Sequence, residues 1–289
     1  MVRLAVMSDV HGNLPALEAV LEDLQQYELD GVIVAGDFVG GPHPVETTRL
    51  LLALDGWMIR GNSNSRLVAH AAGSAPAAEY VCLQFALARW ANAHVDRETL
   101  DFLRSLPEQR VVNIPGAPAI RVVHGSPRDP SESVFPDRDL STLDLALSQV
   151  GESVLICGHT HIPWSLERNG RLALNPGAVA GPLNGEVGAQ YALLTWQEDR
   201  WQVKHRTVPY ALERIRADFC KSGLLEEGGA LARAFLLSIE TGENVADDFL
   251  AYAYGLTTEG ELGENHFVPD DVWEQAAVTF DWDSYEDHG

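Results

Sequence analysis

The sequence predicts an α/β fold on three observations. Residues 3–59 alternate strand, helix, strand, helix, strand; the second half carries a run of strand patterns with hairpin signals; and the chain ends in an acidic helical tail. Alternation with short connections is the mark of a parallel-sheet layer, and the later strands supply a second sheet. Arg3 to Met7 reads as a buried strand. Leu14, Leu17, Leu21 and Leu24 then recur at helical spacing, with Pro15 suited to the first turn. Gly31 to Ala35 is the second strand, Val45 to Leu54 the second helix, and Trp57 to Ile59 the third strand.

Residues 64–106 read as mostly helical, with Asp96 as an N-cap. Strand patterns follow at Arg110 to Ile114, Ile120 to Val123, Val154 to Cys157, Ser165 to Glu167, Arg171 to Leu174, Tyr191 to Thr195 and Trp201 to Thr207, with Asn169-Gly170 as a hairpin turn. From Tyr210 the strand signals stop, and Leu212 to Lys221 reads as a helix ended by Gly223. Asp281 to Gly289, acidic and terminal, reads as frayed. We therefore expect a domain over residues 1–209 and an acidic helical extension over 210–289.

The 289 residues are 46% hydrophobic, enough for a real core, and the net charge is -22 with 42 acidic against 20 basic side chains. Residues 211–289 hold 18 acidic and 4 basic groups, so the tail carries -14 of that charge. Such a surface repels polyanions, which excludes long nucleic acid as a natural partner. A small anionic ester escapes the objection, because cations in a pocket outweigh a distant surface field. No apolar run approaches the ~18 to 20 residues of a membrane span, and no signal-peptide pattern precedes Asp9, so the expectation is a cytoplasmic protein without a membrane partner. Cys82, Cys157 and Cys220 are scattered and odd in number, and read as buried structural thiols. The extension reads as a cap, a solvated arm or the contact of a homo-oligomer.

Seven candidate metal ligands lie in five short motifs, each just past an apolar strand: Ser8-Asp9-Val10-His11, Gly36-Asp37, Gly61-Asn62-Ser63-Asn64, His124-Gly125 and Gly158-His159-Thr160-His161. Open α/β sheets gather ligands at that strand edge. Asp9 and His11, and likewise His159 and His161, are two apart, so on extended backbone each pair faces one side. A mixed nitrogen and oxygen set of this kind suits manganese, iron, zinc, nickel or cobalt, with manganese the expected ion.

These motifs resemble those of the calcineurin-like metallophosphoesterases, and within them the small prokaryotic branch of YfcE-type phosphodiesterases; the Asn175-Pro176-Gly177 loop is similar as well. The resemblance implies two packed mixed β-sheets flanked by helices, an αββα sandwich. It also implies two divalent metal ions, one held by Asp9, His11, Asp37 and His161 and the other by Asp37, Asn62, His124 and His159, with Asp37 bridging. Two such ions bring +4 against the carboxylates of Asp9 and Asp37, leaving about +2 for a bridging hydroxide and a singly charged phosphodiester. Asn62 then serves as ligand and as a donor near phosphate, and Asn13 and Arg128 are candidate substrate donors. The wider superfamily carries His and an acid after Gly-Asn, where this chain has Ser63 and Asn64. A positioned general acid contributes ~10² to 10⁴ in rate, so its loss favours small diesters with good leaving groups, cyclic nucleotides among them. Ser63 becomes a hydrogen-bond donor to substrate, and His43 is either an exposed loop histidine or a replacement acid. The alternatives are a phosphomonoesterase and a noncatalytic scaffold, a role this fold also plays in a retromer subunit.

Overall fold

The computed structural model describes residues 1–136, 138–257 and 267–286. Strand β1 (Val2–Met7) leads through helix α1 (Leu14–Leu24), β2 (Gly31–Val34) and α2 (Pro44–Leu52) to the short β3 (Trp57–Met58). The expected alternation is thus present. Asn13 caps α1 by accepting from the Ala16 N–H, and Pro15 occupies the first turn. The next stretch is broken rather than continuously helical: α3 (Asn62–Ala71), two 3-10 turns over 77–80 and 83–85, α4 (Ala86–Ala93) and α5 (Arg97–Ser105), the last capped by Asp96. Pro76 and Gly73 interrupt the helical pattern there, since neither continues a helix.

The second half supplies β4 (Gln109–Val112), β5 (Ile120–Val123), α6 (Leu140–Ser148), β6 (Val154–Ile156), β7 (Trp164–Arg168), β8 (Arg171–Asn175), β9 (Ala189–Gln197) and β10 (Arg200–Val208). Helix α6 was not expected from the sequence. The β7–β8 hairpin turns at Asn169-Gly170, both left-handed, as the pair predicts. The extension folds as α7 (Leu212–Lys221), α8 (Leu224–Thr241), α9 (Val245–Leu256), α10 (Asp270–Thr279) and α11 (Asp283–Glu286). Residues 281–286 are packed rather than frayed: Trp282 is buried and the Tyr285 hydroxyl donates to Asp248 at 3.0 Å. Residues 287–289 lie outside the described residues.

Two five-stranded sheets form, in the orders β10-β9-β1-β2-β3 and β4-β5-β6-β8-β7. Parallel pairs (β1–β2, β2–β3, β5–β6, β6–β8) and antiparallel pairs (β1–β9, β9–β10, β4–β5, β7–β8) make both sheets mixed. One core lies between them, where Leu4, Val6, Ile33 and Ile59 meet Ile120, Val122, Ile156 and Leu174. Helices cover the outer faces. Leu17 and Val20 of α1, Phe219 of α7 and Leu236 of α8 pack with Ala5, Met7 and Tyr191 of the first sheet; Leu143 and Leu147 of α6 pack with Val123, Leu155 and Ala173 of the second. The expected αββα layering is therefore the observed one. Of the thiols only Cys157 is buried, Cys82 being half-buried and Cys220 exposed at the end of α7, which corrects the uniform burial expected.

Candidate metal centre

The loops after β1, β2, β5 and β6 bring six of the seven candidate ligands together by side-chain contacts or hydrogen bonds, and Asn62, first residue of α3 after β3, precedes Ser63, which bonds Asp37. Asp9 Oδ1 lies 3.3 Å from His161 Nε2 and 3.7 Å from the Nε2 atoms of both His11 and His124. Asp37 Oδ2 lies 3.3 Å from His124 Nε2 and 3.8 Å from His11 Nε2. Among the described residues two tight groups result, Asp9 with His11 and His161, and Asp9 with Asp37 and His124. Asp9 is the carboxylate common to both, while Asp37 also faces a histidine of each. His159 is held beside them by its own N–H, which donates to Asp9 Oδ2 at 3.0 Å, and its ring stands edge-on to His124.

The ligand pairs converge by a route the sequence did not suggest. Asp9, His11, Asp37, His159 and His161 all have positive φ, between 42° and 68°, where side chains other than glycine are uncommon. Strand alternation, the expected cause, does not operate in these loops. Surrounding bonds hold the unusual backbone instead: Asp9 N–H to Gly36 O at 3.1 Å, His11 N–H to Asp37 O at 3.0 Å and Ala180 N–H to Asp9 O at 2.9 Å. Gly61 and Gly158 let the loops close, since a Cβ at these positions would sit 2.1 Å from Asp37 Oδ1 and from Ser8 Oγ respectively.

The donor set fits metal ions. His11, His124 and His161 each direct Nδ1 at a backbone carbonyl, of Val39 at 3.1 Å, Ala35 at 2.6 Å and Gly181 at 2.8 Å. That bond places a proton on Nδ1 and turns Nε2 toward the cluster, the usual arrangement behind a metal-binding imidazole. His11 Nε2 and His161 Nε2 are then 3.2 Å apart, a pair that a shared proton or a metal ion would satisfy. Asp9 Oδ1, His124 Nε2 and Asn62 Oδ1 are buried without a hydrogen-bond partner, which is costly unless something else binds them.

Electrostatics agree. Burial opposes ionisation of Asp9, yet the charges of His161 and His124 hold its carboxyl well below the usual carboxylate range. Asp37, equally opposed by burial, is lowered chiefly by His124. Burial would lower His124, but Asp37 and Asp9 push it up to about 9. His159 is lowered, first by burial and then by the charge of His124. Two buried carboxylates thus draw positive charge into the cluster.

The remaining sequence candidates divide. Ser63 joins the cluster: its N–H donates to Asp37 Oδ1 at 3.0 Å and its hydroxyl to Asp37 Oδ2 at 2.8 Å. Asn13 is fully buried, its amide oxygen capping α1 and its amide nitrogen donating to the Tyr210 hydroxyl at 3.0 Å, so it acts at a helix start rather than at a substrate. Arg128 pairs with Glu132 on its own loop. His43 is half-buried and turned to Asp218 of α7 at 2.9 Å, so it ties the loop after β2 to the extension. Two residues named in the sequence motifs take supporting roles that the sequence did not suggest. Asn64 accepts from the backbone N–H of Asp37 at 2.9 Å and of Gly61 at 3.2 Å. Asn175 donates to Gly158 O at 2.6 Å and to Thr160 Oγ1 at 3.1 Å, bracing the last ligand loop.

A two-sheet α/β sandwich with a carboxylate and imidazole cluster at the ends of its strands defines a class of phosphoesterase fold. Residues 2–199 match the calcineurin-like phosphoesterase superfamily domain, and the chain belongs to that superfamily. It is similar to a metallophosphoesterase of Sphaerobacter thermophilus, with 28% identity, a TM-score of 0.68 and coverage of 83% of this chain and 99% of that one. An uncharacterized protein of Methanocaldococcus jannaschii is 28% identical over 242 residues, 77% of this chain and 94% of its own. Phosphodiesterase YfcE of Escherichia coli is 28% identical over 205 residues, 67% of this chain and 88% of its own. No helix of the described residues is long and apolar enough to cross a membrane.

Proposed function

We propose that this protein is a metal-dependent phosphodiesterase of small diesters, using two divalent ions, manganese first among the candidates, held by Asp9, His11, Asp37, Asn62, His124, His159 and His161. Bound ions supply Lewis acidity toward phosphoryl oxygens and lower the pKa of water from ~15.7 to about 7. The protein's part is to fix the candidate ligands from four loops and the start of α3, to turn Nε2 of three histidines toward the cluster, and to hold the carboxylates ionised.

The observation that carries the diester reading is the engagement of Ser63 and Asn64. The hydroxyl at position 63 is bonded to Asp37 and the amide at position 64 to two backbone N–H groups, so neither takes up the work of an imidazole and its orienting acid. A site so built favours leaving groups that depart without a strong proton donor. The E. coli relative is a phosphodiesterase, which supports the same reading. The acidic surface favours a small substrate over long nucleic acid. A homo-oligomer through the extension belongs to this proposal and is checked by light scattering on the full chain.

The test is turnover of matched esters by metal-reconstituted protein: cyclic nucleotides, linear diesters and the corresponding monoesters. Diester turnover exceeding monoester turnover is expected. Hydrolysis of monoesters alone would overturn the reading in favour of a phosphomonoesterase, and loss of all turnover with ions bound would favour a scaffold.

A further inference from the structure

Two cavities flank the cluster, and one side chain of the extension lines both. Phe235, on α8, stands edge-on to His11 with ring centroids 5.6 Å apart. One cavity, of about 170 Å³, is lined by His11 and Ser63 and walled by Phe85, Leu87, Ala88, Leu231 and Phe235. The other, of about 370 Å³, reaches His159 and His161 and has polar walls that include Arg138, Asn244 and Asp247. A phosphoester at the cluster therefore meets an apolar compartment on the Ser63 side and a polar one across Phe235.

The size of the apolar compartment is informative. A dry cavity of roughly 150 Å³ takes benzene, so this one matches a single ring. Two of its polar members are engaged elsewhere: Arg66 pairs with Glu79 at 3.5 Å and lies over the Phe85 ring, and Gln84 bonds the Tyr254 hydroxyl and the Val268 N–H. His70, on the same wall, meets Asn92 through Nδ1 and keeps a buried Nε2 without a hydrogen-bond partner among the described residues. Apart from that one imidazole nitrogen, selection there works through shape and the removal of apolar surface from water.

We propose that this compartment is the subsite for one organic group of the phosphoester, a compact apolar ring, and that the extension builds it by supplying Leu231 and Phe235. The assignment rests on the cluster being a phosphoester site and is independent of the preference for diesters. A symmetrical arrangement of two polar substituents fits the site less well than one ring and one polar group, because the two compartments differ in character.

Calorimetric binding of phenylphosphonate and methylphosphonate to the manganese-loaded full chain tests it without turnover. Burying one ring gives phenylphosphonate an advantage of about tenfold or more. Ala88→Trp, which fills the compartment, brings the ratio of the two Kd values to about one, and Phe235→Ala, which removes a wall, lowers it. Equal affinities in the wild-type protein, or a ratio that survives Ala88→Trp, would overturn the subsite. Since the wild-type ratio needs no variant, poor folding of either substitution leaves the measurement decisive. Turnover of monoesters alone with the ratio intact would remove the diester preference and keep the subsite; failure of both phosphonates to bind would remove the phosphoester site and the subsite with it.

Discussion

Asn64 holds the backbone N–H groups of Asp37 and Gly61 with one amide oxygen, and so fixes the loop after β2 against the start of α3. A buried donor left without a partner costs about 1–3 kcal/mol. Asn64→Ala should therefore lose about 2–4 kcal/mol in urea unfolding, together with metal affinity, while Asn64→Asp, which keeps an acceptor, loses less. Unchanged affinity in Asn64→Ala would show that the clasp does not position Asp37. Asp9 makes the sharper test of the centre, because its Oδ1 faces three imidazole nitrogens. Asp9→Asn keeps the shape and removes the charge, so bound metal measured by mass spectrometry should fall by more than the ~10- to 100-fold typical of a lost supporting group. At this scale the sequence brought out the residues that cluster, because Asp, His and Gly after apolar strands are few and ordered. Their left-handed backbone was not legible, since positive φ at Asp9 or His161 is imposed by bonds to distant segments such as 175–181. Asn64 was misread for a related reason: its value lies in what its oxygen accepts, which only the meeting of two loops reveals.

Helix α1 is fastened to the first sheet by a small polar group at its end. Asp23 accepts from Arg206 of β10 at 2.6 and 3.0 Å and from the Tyr191 hydroxyl of β9 at 2.5 Å. Burial would raise the Asp23 carboxyl, but the bonds from Arg206 and Tyr191 outweigh it and hold the pKa below its ordinary value of about 3.9. A carboxyl lowered in the folded state stabilises the fold above its unfolded pKa, and that contribution disappears as pH falls through the lower, folded value. Asp23→Asn should thus be less stable than the wild type at pH 7, with the gap in urea midpoint closing below about pH 4. A gap that persists unchanged at pH 3 would assign the effect to shape rather than charge. Most elements were readable because their apolar periods are long, as in α1, or bounded by a turn pair, as at Asn169-Gly170. Helix α6 was missed: its nine residues carry a weak stripe that faces the second sheet through Leu143, Ala146 and Leu147. The β9–β10 turn, with positive φ at Glu198 and Asp199, lacks the glycine that normally marks such a hairpin.

For the molecule as a whole, we propose the division read from the sequence, a phosphoesterase domain over 1–209 and an extension over 210–289, with the second indispensable to the first. The family match ends at residue 199, and the helices beyond Pro209 form a cluster of their own around Phe249, Trp273 and Trp282. Yet Ile215, Phe219, Leu224, Ala232, Leu236 and Ile239 belong to the same core as Leu17, Val20, Val39 and Tyr191. Burying a side chain of this kind contributes about 1.5–3 kcal/mol for the larger ones, so the shared contacts sum to roughly 10 kcal/mol. That is comparable with the whole stability of a typical domain, about 5–15 kcal/mol. Removing residues 210–289 would also take away Asp218, the partner of His43, and the Tyr210 hydroxyl that receives Asn13. The truncated chain 1–209 should therefore aggregate or unfold without cooperativity on expression, as seen by light scattering and thermal circular dichroism. A monomeric product with a sharp unfolding transition would show instead that the sandwich closes alone, and that the extension serves only the cavities beside the cluster.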